Sequence, residues 1–91
     1  MTEKILVGDI VESIAGHDRG NKYLVIKTEG KFLFIVDGKS RKILSPKKKS
    51  IKHVKVIKPQ VLIEIAERLS GGQPVGNERL YKAVKSVTKQ S

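Results

Sequence analysis

The sequence predicts a mainly β domain with α: five short antiparallel strands in a small barrel or sandwich, capped by two C-terminal helices. Three observations predict it. Residues 8–57 hold five short runs rich in Val, Ile, Phe and Tyr, separated by turn residues at about ten-residue spacing. Residues 59–91 carry apolar side chains at helical spacing instead. The run Phe32-Leu33-Phe34-Ile35-Val36 does not alternate with polar residues, so both its faces need cover. A barrel interior takes one face and the helices take the other. Residues 1–58 and 59–91 then form one structural domain.

The expected strands are Ile10–Ala15, Tyr23–Thr28, Phe32–Val36, Arg41–Leu44 and Lys52–Ile57. Gly16-His17-Asp18-Arg19-Gly20-Asn21 reads as a loop, and Glu29-Gly30 as a short reversal. Asp37-Gly38 is a hairpin signal, because both central positions of a type I′ turn need positive φ. Ser45-Pro46 breaks the fourth strand, since proline cannot donate to a ladder. Pro59 suits a first helical position and forces Lys58 to be extended. Val61, Leu62, Ile65, Ala66 and Leu69 share one helical face, and Gly71-Gly72 ends that helix. Asn77 is the expected N-cap of a second helix, whose stripe is Leu80, Tyr81, Ala83, Val84 and Val87.

Ninety-one residues make one domain with one modest core. With 38% hydrophobic residues against 31% charged, the profile is that of a folded chain. The absence of cysteine excludes a disulfide framework and a thiolate metal site. His17 and His53 alone make no metal site. The N-terminus is too short and too acidic for a signal peptide, and no apolar run approaches the ~20 residues of a membrane span. A cytoplasmic location, with no membrane partner, is the expectation.

Charge is the informative feature. Residues 1–38 hold five bases against six acids, and residues 59–91 five against three. Residues 39–58 hold nine bases (Lys39, Arg41, Lys42, Lys47, Lys48, Lys49, Lys52, Lys55, Lys58) and no acid. Nine of the ten net positive charges therefore sit in one window, and that concentration attracts a polyanion. Ile43, Leu44, Ile51, Val54, Val56 and Ile57 are mixed into it, so much of the window folds. A folded basic face is the electrostatic footprint of a nucleic-acid binder.

A lysine run such as Lys47-Lys48-Lys49 is by itself a solvated turn; six further bases nearby and no acid make phosphate contact the better reading. His17 is open to phosphate or base contact, or to plain exposure, and His53 falls between lysines on the surface. Asp9 fixes the turn into the first strand, while Asp18 orients Arg19 or caps the loop. Tyr23, Phe32, Phe34 and Tyr81 serve the core or stack on bases; Tyr23 borders the basic loop and is the best stacking candidate. No paired carboxylates, Ser/His/Asp grouping or phosphate-cradling Gly-Lys-Thr stands out, so neither enzymatic activity nor a cofactor is expected.

The stretch from Val7-Gly8-Asp9-Ile10-Val11 through Gly16-His17-Asp18-Arg19-Gly20-Asn21-Lys22 to Tyr23-Leu24-Val25-Ile26 resembles the KOW motif. In that motif Gly-Asp opens a strand, a loop with a glycine after a basic residue follows, and a second apolar strand closes it. Arg19-Gly20 is the central pair here. Many family members carry another glycine shortly after, where this chain has Tyr23. The likeness extends through Phe32–Lys42 and the segment Ser45-Pro46-Lys47-Lys48-Lys49-Ser50-Ile51-Lys52-His53-Val54. It is similar to small stand-alone KOW proteins of bacteria and to the KOW-containing large-subunit ribosomal proteins of archaea and eukaryotes.

The resemblance implies an SH3-like five-stranded barrel that binds RNA, ribosomal RNA above all, on or near the ribosome. Gly8, Asp9, Gly16 and Gly20 then shape the motif. His17, Arg19, Gly20 and Lys22 join Lys39, Arg41, Lys42, Lys47, Lys48, Lys49, Lys52, His53 and Lys55 as the expected RNA-contacting residues. Lysines are mobile point charges, so shape and backbone are recognised rather than sequence. The free chain is expected to be monomeric. A second reading is a protein-interaction module of the transcription or translation machinery, and a third a nonspecific DNA-compacting protein.

Overall fold

A computed structural model describes residues 4–88; positions 89–91 of the expected helical segment lie outside the described residues. The chain forms a mixed fold, a five-stranded antiparallel sheet with two helices. The strands are β1 (Ile10–Ser13), β2 (Lys22–Glu29), β3 (Phe32–Val36), β4 (Lys47–Ser50) and β5 (Val54–Lys58), with a single 3-10 turn over Ile51–His53. The helices are α1 (Ile63–Ser70) and α2 (Asn77–Thr88). Sheet order is β4-β3-β2-β1-β5. No pairing joins β4 to β5 among the described residues, so the sheet is not a closed barrel.

Two register shifts, at Ile10/Val11 and at Val25/Lys27, bend and twist the sheet. Its concave side holds one core of Ile5, Val11, Tyr23, Val25, Leu33, Ile35 and Val54, with Ile51 and Val56 packed against it. The 3-10 turn over Ile51–His53 carries the chain from β4 at one edge of the sheet to β5 at the other, and the Ile51 N–H extends the β3–β4 ladder by donating to the Lys31 carbonyl at 2.9 Å. The opposite side carries a second core, in which Ile10, Leu24 and Val36 meet Ala66, Leu80 and Val84 of the helices. The helices therefore cover the sheet where β1, β2 and β3 run side by side.

Strands β1, β2 and β3 each supply both cores: Val11, Tyr23, Val25, Leu33 and Ile35 enter the first, and Ile10, Leu24, Ile26 and Val36 the second, so β3 is covered on its inner face as expected. The expectation of full cover for β3 needs correction. Val36 is covered and Phe34 half-buried, but Phe32 remains 42% exposed, because α1 and α2 do not extend over that end.

Four local expectations also change. Arg41–Leu44 is not a strand, and Asp37-Gly38 is not a two-residue hairpin. Residues 37–46 form one loop, organised by the Asp37 carboxylate, which accepts from the Lys39 N–H (2.9 Å), the Arg41 N–H (2.8 Å) and the Ser40 hydroxyl (2.8 Å). Gly38 has φ +81°, and a Cβ there would collide with the Asn77 carbonyl at the start of α2. Asn77 does not cap its own helix; its Oδ1 accepts the Ile43 N–H at 2.9 Å and ties the loop to α2. Helix α1 begins at Ile63, not at Pro59, because the Asp9 carboxylate takes the Gln60 N–H at 2.9 Å and holds the preceding turn. Gly71 ends α1 as the sequence implies, and Lys58 closes β5 in extended form.

Candidate nucleic-acid interface

Strand β4 divides the lysine run. The run is not a turn, and side chains on a strand alternate between faces. Lys47 and Lys49 stand opposite Ile35 and Leu33, and both point to the concave side. Lys48 stands opposite Phe34 on the outer side, with its Nζ 4.5 Å from the centre of the Phe32 ring.

The inward pair meets the Asp18 carboxylate. Lys49 Nζ donates to Oδ1 at 2.8 Å and to the Ala15 carbonyl at 2.9 Å; Lys47 Nζ donates to Oδ2 at 2.8 Å. The Ser13 hydroxyl adds a 2.8 Å bond to Oδ1. Burial opposes the charge on Asp18, but the hydrogen bonds from Lys47, Lys49 and Ser13 overcome it and hold the carboxyl well below the usual carboxylate range. Lys49 is only 8% exposed. Lys49 is thus a buried structural cation rather than a phosphate contact, and Lys47 is partly withdrawn as well. Asp18 orients these two lysines and not Arg19.

Tyr23 is also not a stacking surface. It is buried in the first core, with its hydroxyl 3.4 Å from Asp18 Oδ2. Burial pushes its phenol up, the Asn21 amide opposes, and the Asp18 charge adds to the rise. Asp9 does hold the entry to β1: its Oδ2 accepts the Leu6 N–H at 2.9 Å.

The loop before β2 is pinned from beneath by this network, and its upper residues face solvent. His17, Arg19 and Gly20 are exposed. Gly20 has φ +91°, and a Cβ there would meet nothing within 4 Å. A ligand can therefore approach this backbone closely, and only glycine adopts the conformation without strain. Gly16 turns the other end of the loop, while Gly8 lies under α1, where a Cβ would come 2.9 Å from Ile63 Cα.

The remaining bases fall into three groups. Lys39, Arg41 and Lys42 lie exposed on the Asp37 loop beside α2. Lys39 and Lys85 place their ammonium groups 5.6 and 5.7 Å from the Tyr81 ring, and a shallow hollow of about 270 Å³ joins Tyr81 and Lys85 to Gly20 and Lys22. Lys52 and His53 are exposed on the 3-10 turn. Lys55 and Lys22 flank Glu12 across adjacent strands, at 4.0 and 3.8 Å.

Sequence reasoning missed Lys85, Lys27 and Lys31. Lys85 follows Tyr81 by one helical turn, a spacing that marks a shared face. Lys27 was readable only from register, since its partner across β3 is Phe34, 5.5 Å from its ammonium. Among the described residues no group of His, Asp and Glu is placed to hold a metal, and no helix is long and apolar enough to cross a membrane.

Compared with known proteins, the chain matches no family model and no curated protein.

Proposed function

We propose that this is a non-enzymatic RNA-binding protein that grips ribosomal RNA, on or near the ribosome, through a basic face of loops and strand edges. One observation carries the reading. Seven of the nine bases in residues 39–58 stay exposed; the exceptions are Lys47 and Lys49, which one buried aspartate uses to anchor the Arg19-Gly20 loop. The anchoring supports a preformed loop, and the exposed bases supply phosphate contacts. The two bulges and the three-residue turn from β4 to β5 support an SH3-like arrangement of the KOW kind, since so short a connection between the two edge strands needs a sheet curled around its inner core. The groups that gather in the Asp18 network satisfy one another, which supports a structural role for them rather than a catalytic one.

The test is sucrose-gradient sedimentation of tagged protein from a low-salt lysate, before and after RNase. The protein should travel with a ribosomal particle and leave it after RNase or moderate salt. Protein that stays at the top of the untreated gradient overturns the reading. A protein-interaction module is the second reading, favoured by Val61 in the turn before α1 and Ile63 at its first residue, which lie 46% and 38% exposed. RNase-resistant sedimentation with a large complex would support it.

A further inference from the structure

Where the sheet fails to close, a groove of about 790 Å³ runs between the β2–β3 turn and the chain from Ser50 to Val56. Its floor is Ile5, Ile51, Val54 and Val56, and Phe32 stands on its wall. Lys31, Lys52 and Lys55 line it, and no carboxylate does among the described residues. The volume falls in the ~300–1,000 Å³ range of small-ligand sites.

We propose that this groove holds unpaired nucleotides of the RNA, with a base stacked on Phe32 and the flanking phosphates on Lys31, Lys52 and Lys55. The inference rests on the RNA-binding reading and narrows it to single-stranded segments. Three features carry it. The Phe32 ring is left open by the helices that cover Val36 on the same side of β3. Lys48 lies 4.5 Å from the centre of that ring, so a cation is already seated on an aromatic at the groove's edge. Finally, an apolar floor whose charged lining groups, among the described residues, are all ammoniums suits a ligand with apolar faces and anionic links. A nucleobase between phosphates has both, whereas a duplex buries its base faces in the stack and presents phosphates, 2′-hydroxyls and base edges.

The probe is labelled oligouridine of about eight nucleotides, within the ~4–16 nucleotide span of small single-strand-binding barrels. Its binding is followed by anisotropy beside that of a fully paired RNA duplex of similar length. Phe32→Ala should weaken oligouridine binding about 5- to 150-fold, the range expected for loss of one stacked base, and leave duplex binding within about twofold. Phe32→Leu keeps an apolar side chain and loses the ring, so it should show most of the same loss with an unchanged thermal melt. In a Phe32→Trp variant, oligouridine should quench the indole fluorescence and the duplex should not. Equal weakening of both RNAs, or of neither, overturns the groove assignment while leaving a basic RNA-binding surface intact. Quenching by an acidic apolar peptide and not by oligouridine overturns it in favour of a protein partner. Failure of the unmodified protein to bind either RNA removes both this inference and the RNA-binding reading.

Discussion

Lys49 Nζ and Asp18 Oδ1 lie 2.8 Å apart, and the two residues are 31 positions apart in the chain. Both are buried. The contact locks the loop before β2 onto β4, and it makes the basic segment a structural element as well as a charged one. A buried ion pair is weak evidence for net stability, but breaking one by removing a partner is costly. Asp18 has two ammonium partners, so its loss strands both.

Asp18→Ala should therefore destabilise the fold by about 3–5 kcal/mol, a large share of what a domain of this size has. Lys49→Ser should cost less, about 1.5–3 kcal/mol, because Lys47 and Ser13 still hold the carboxylate. Lys48→Ser, one residue away on the solvent side, should stay within about 0.5 kcal/mol. Urea denaturation of the three variants checks the order. Equal effects of the Lys48 and Lys49 changes would show that β4 does not alternate as described.

The same network sets an acid limit. The folded carboxyl of Asp18 titrates below its ordinary value of 3.8, so its contribution to stability is fully present above that pH. It is lost as pH falls below 3.8 toward the lower folded value. Thermal melts between neutral and strongly acid pH should show a steep loss in the unmodified protein. In Asp18→Asn the protein should start less stable and fall more shallowly over that acid window. Parallel curves would mean that Asp18 is not the titrating group.

Legibility in the sequence followed how local each cause was. The bounds of β3 were readable from Phe32–Val36 because five apolar residues after a Glu-Gly reversal leave little else to form. The end of α1 was readable from Gly71-Gly72. The fourth strand was not. Ile43-Leu44 has the stronger β propensity, but its segment is held as a loop by Asp37 and by Asn77, 34 residues from Ile43; Leu44 is left 94% exposed. Lys47–Lys49 has weak propensity, yet it pairs with β3 and finds its partner in Asp18. Likewise, the basic window was visible as charge, but which lysines face inward depends on strand alternation and a remote acid.

For the loop itself, Gly20→Val is the decisive change. The space around Gly20 is open, so the cost arises from φ +91° and not from a clash. Stability should fall by about 1–3 kcal/mol, the usual cost of a side chain forced into that region. RNA affinity, measured where the variant remains folded, should fall further than the change in folded fraction explains. Unchanged affinity would remove the loop from the interface.

Salt reports how many exposed bases act. With about 5–7 phosphates neutralised, log K against log salt should have a slope of roughly −3.5 to −6, at ~0.7–0.9 per contact. Lys48→Ser should reduce the slope by about one contact's worth, and Lys49→Ser should not change it in a folded variant. A slope near zero would mean that the basic window is not the binding surface.

The helices should prove necessary for the fold rather than for charge-driven binding. Deleting residues 59–91 uncovers Ile10, Leu24 and Val36 on one side of the sheet. An exposed apolar patch of that kind leads to aggregation or loss of structure. Leu80→Ala tests the same packing within the intact chain. Leu80 is fully buried, so the change should cost about 2–5 kcal/mol, through lost contact and the cavity left behind. Leu44→Ala, at a position almost wholly in solvent, should stay within about 0.5 kcal/mol. RNA binding by folded Leu80→Ala protein should match the unmodified chain, because Leu80 is wholly buried in the core with Ile10, Leu24 and Val36 and offers no surface to a ligand. A truncated protein that stays soluble with an undiminished melting temperature would overturn this account, leave the apolar faces of α1 and α2 in need of another partner, and move the protein-interaction reading ahead.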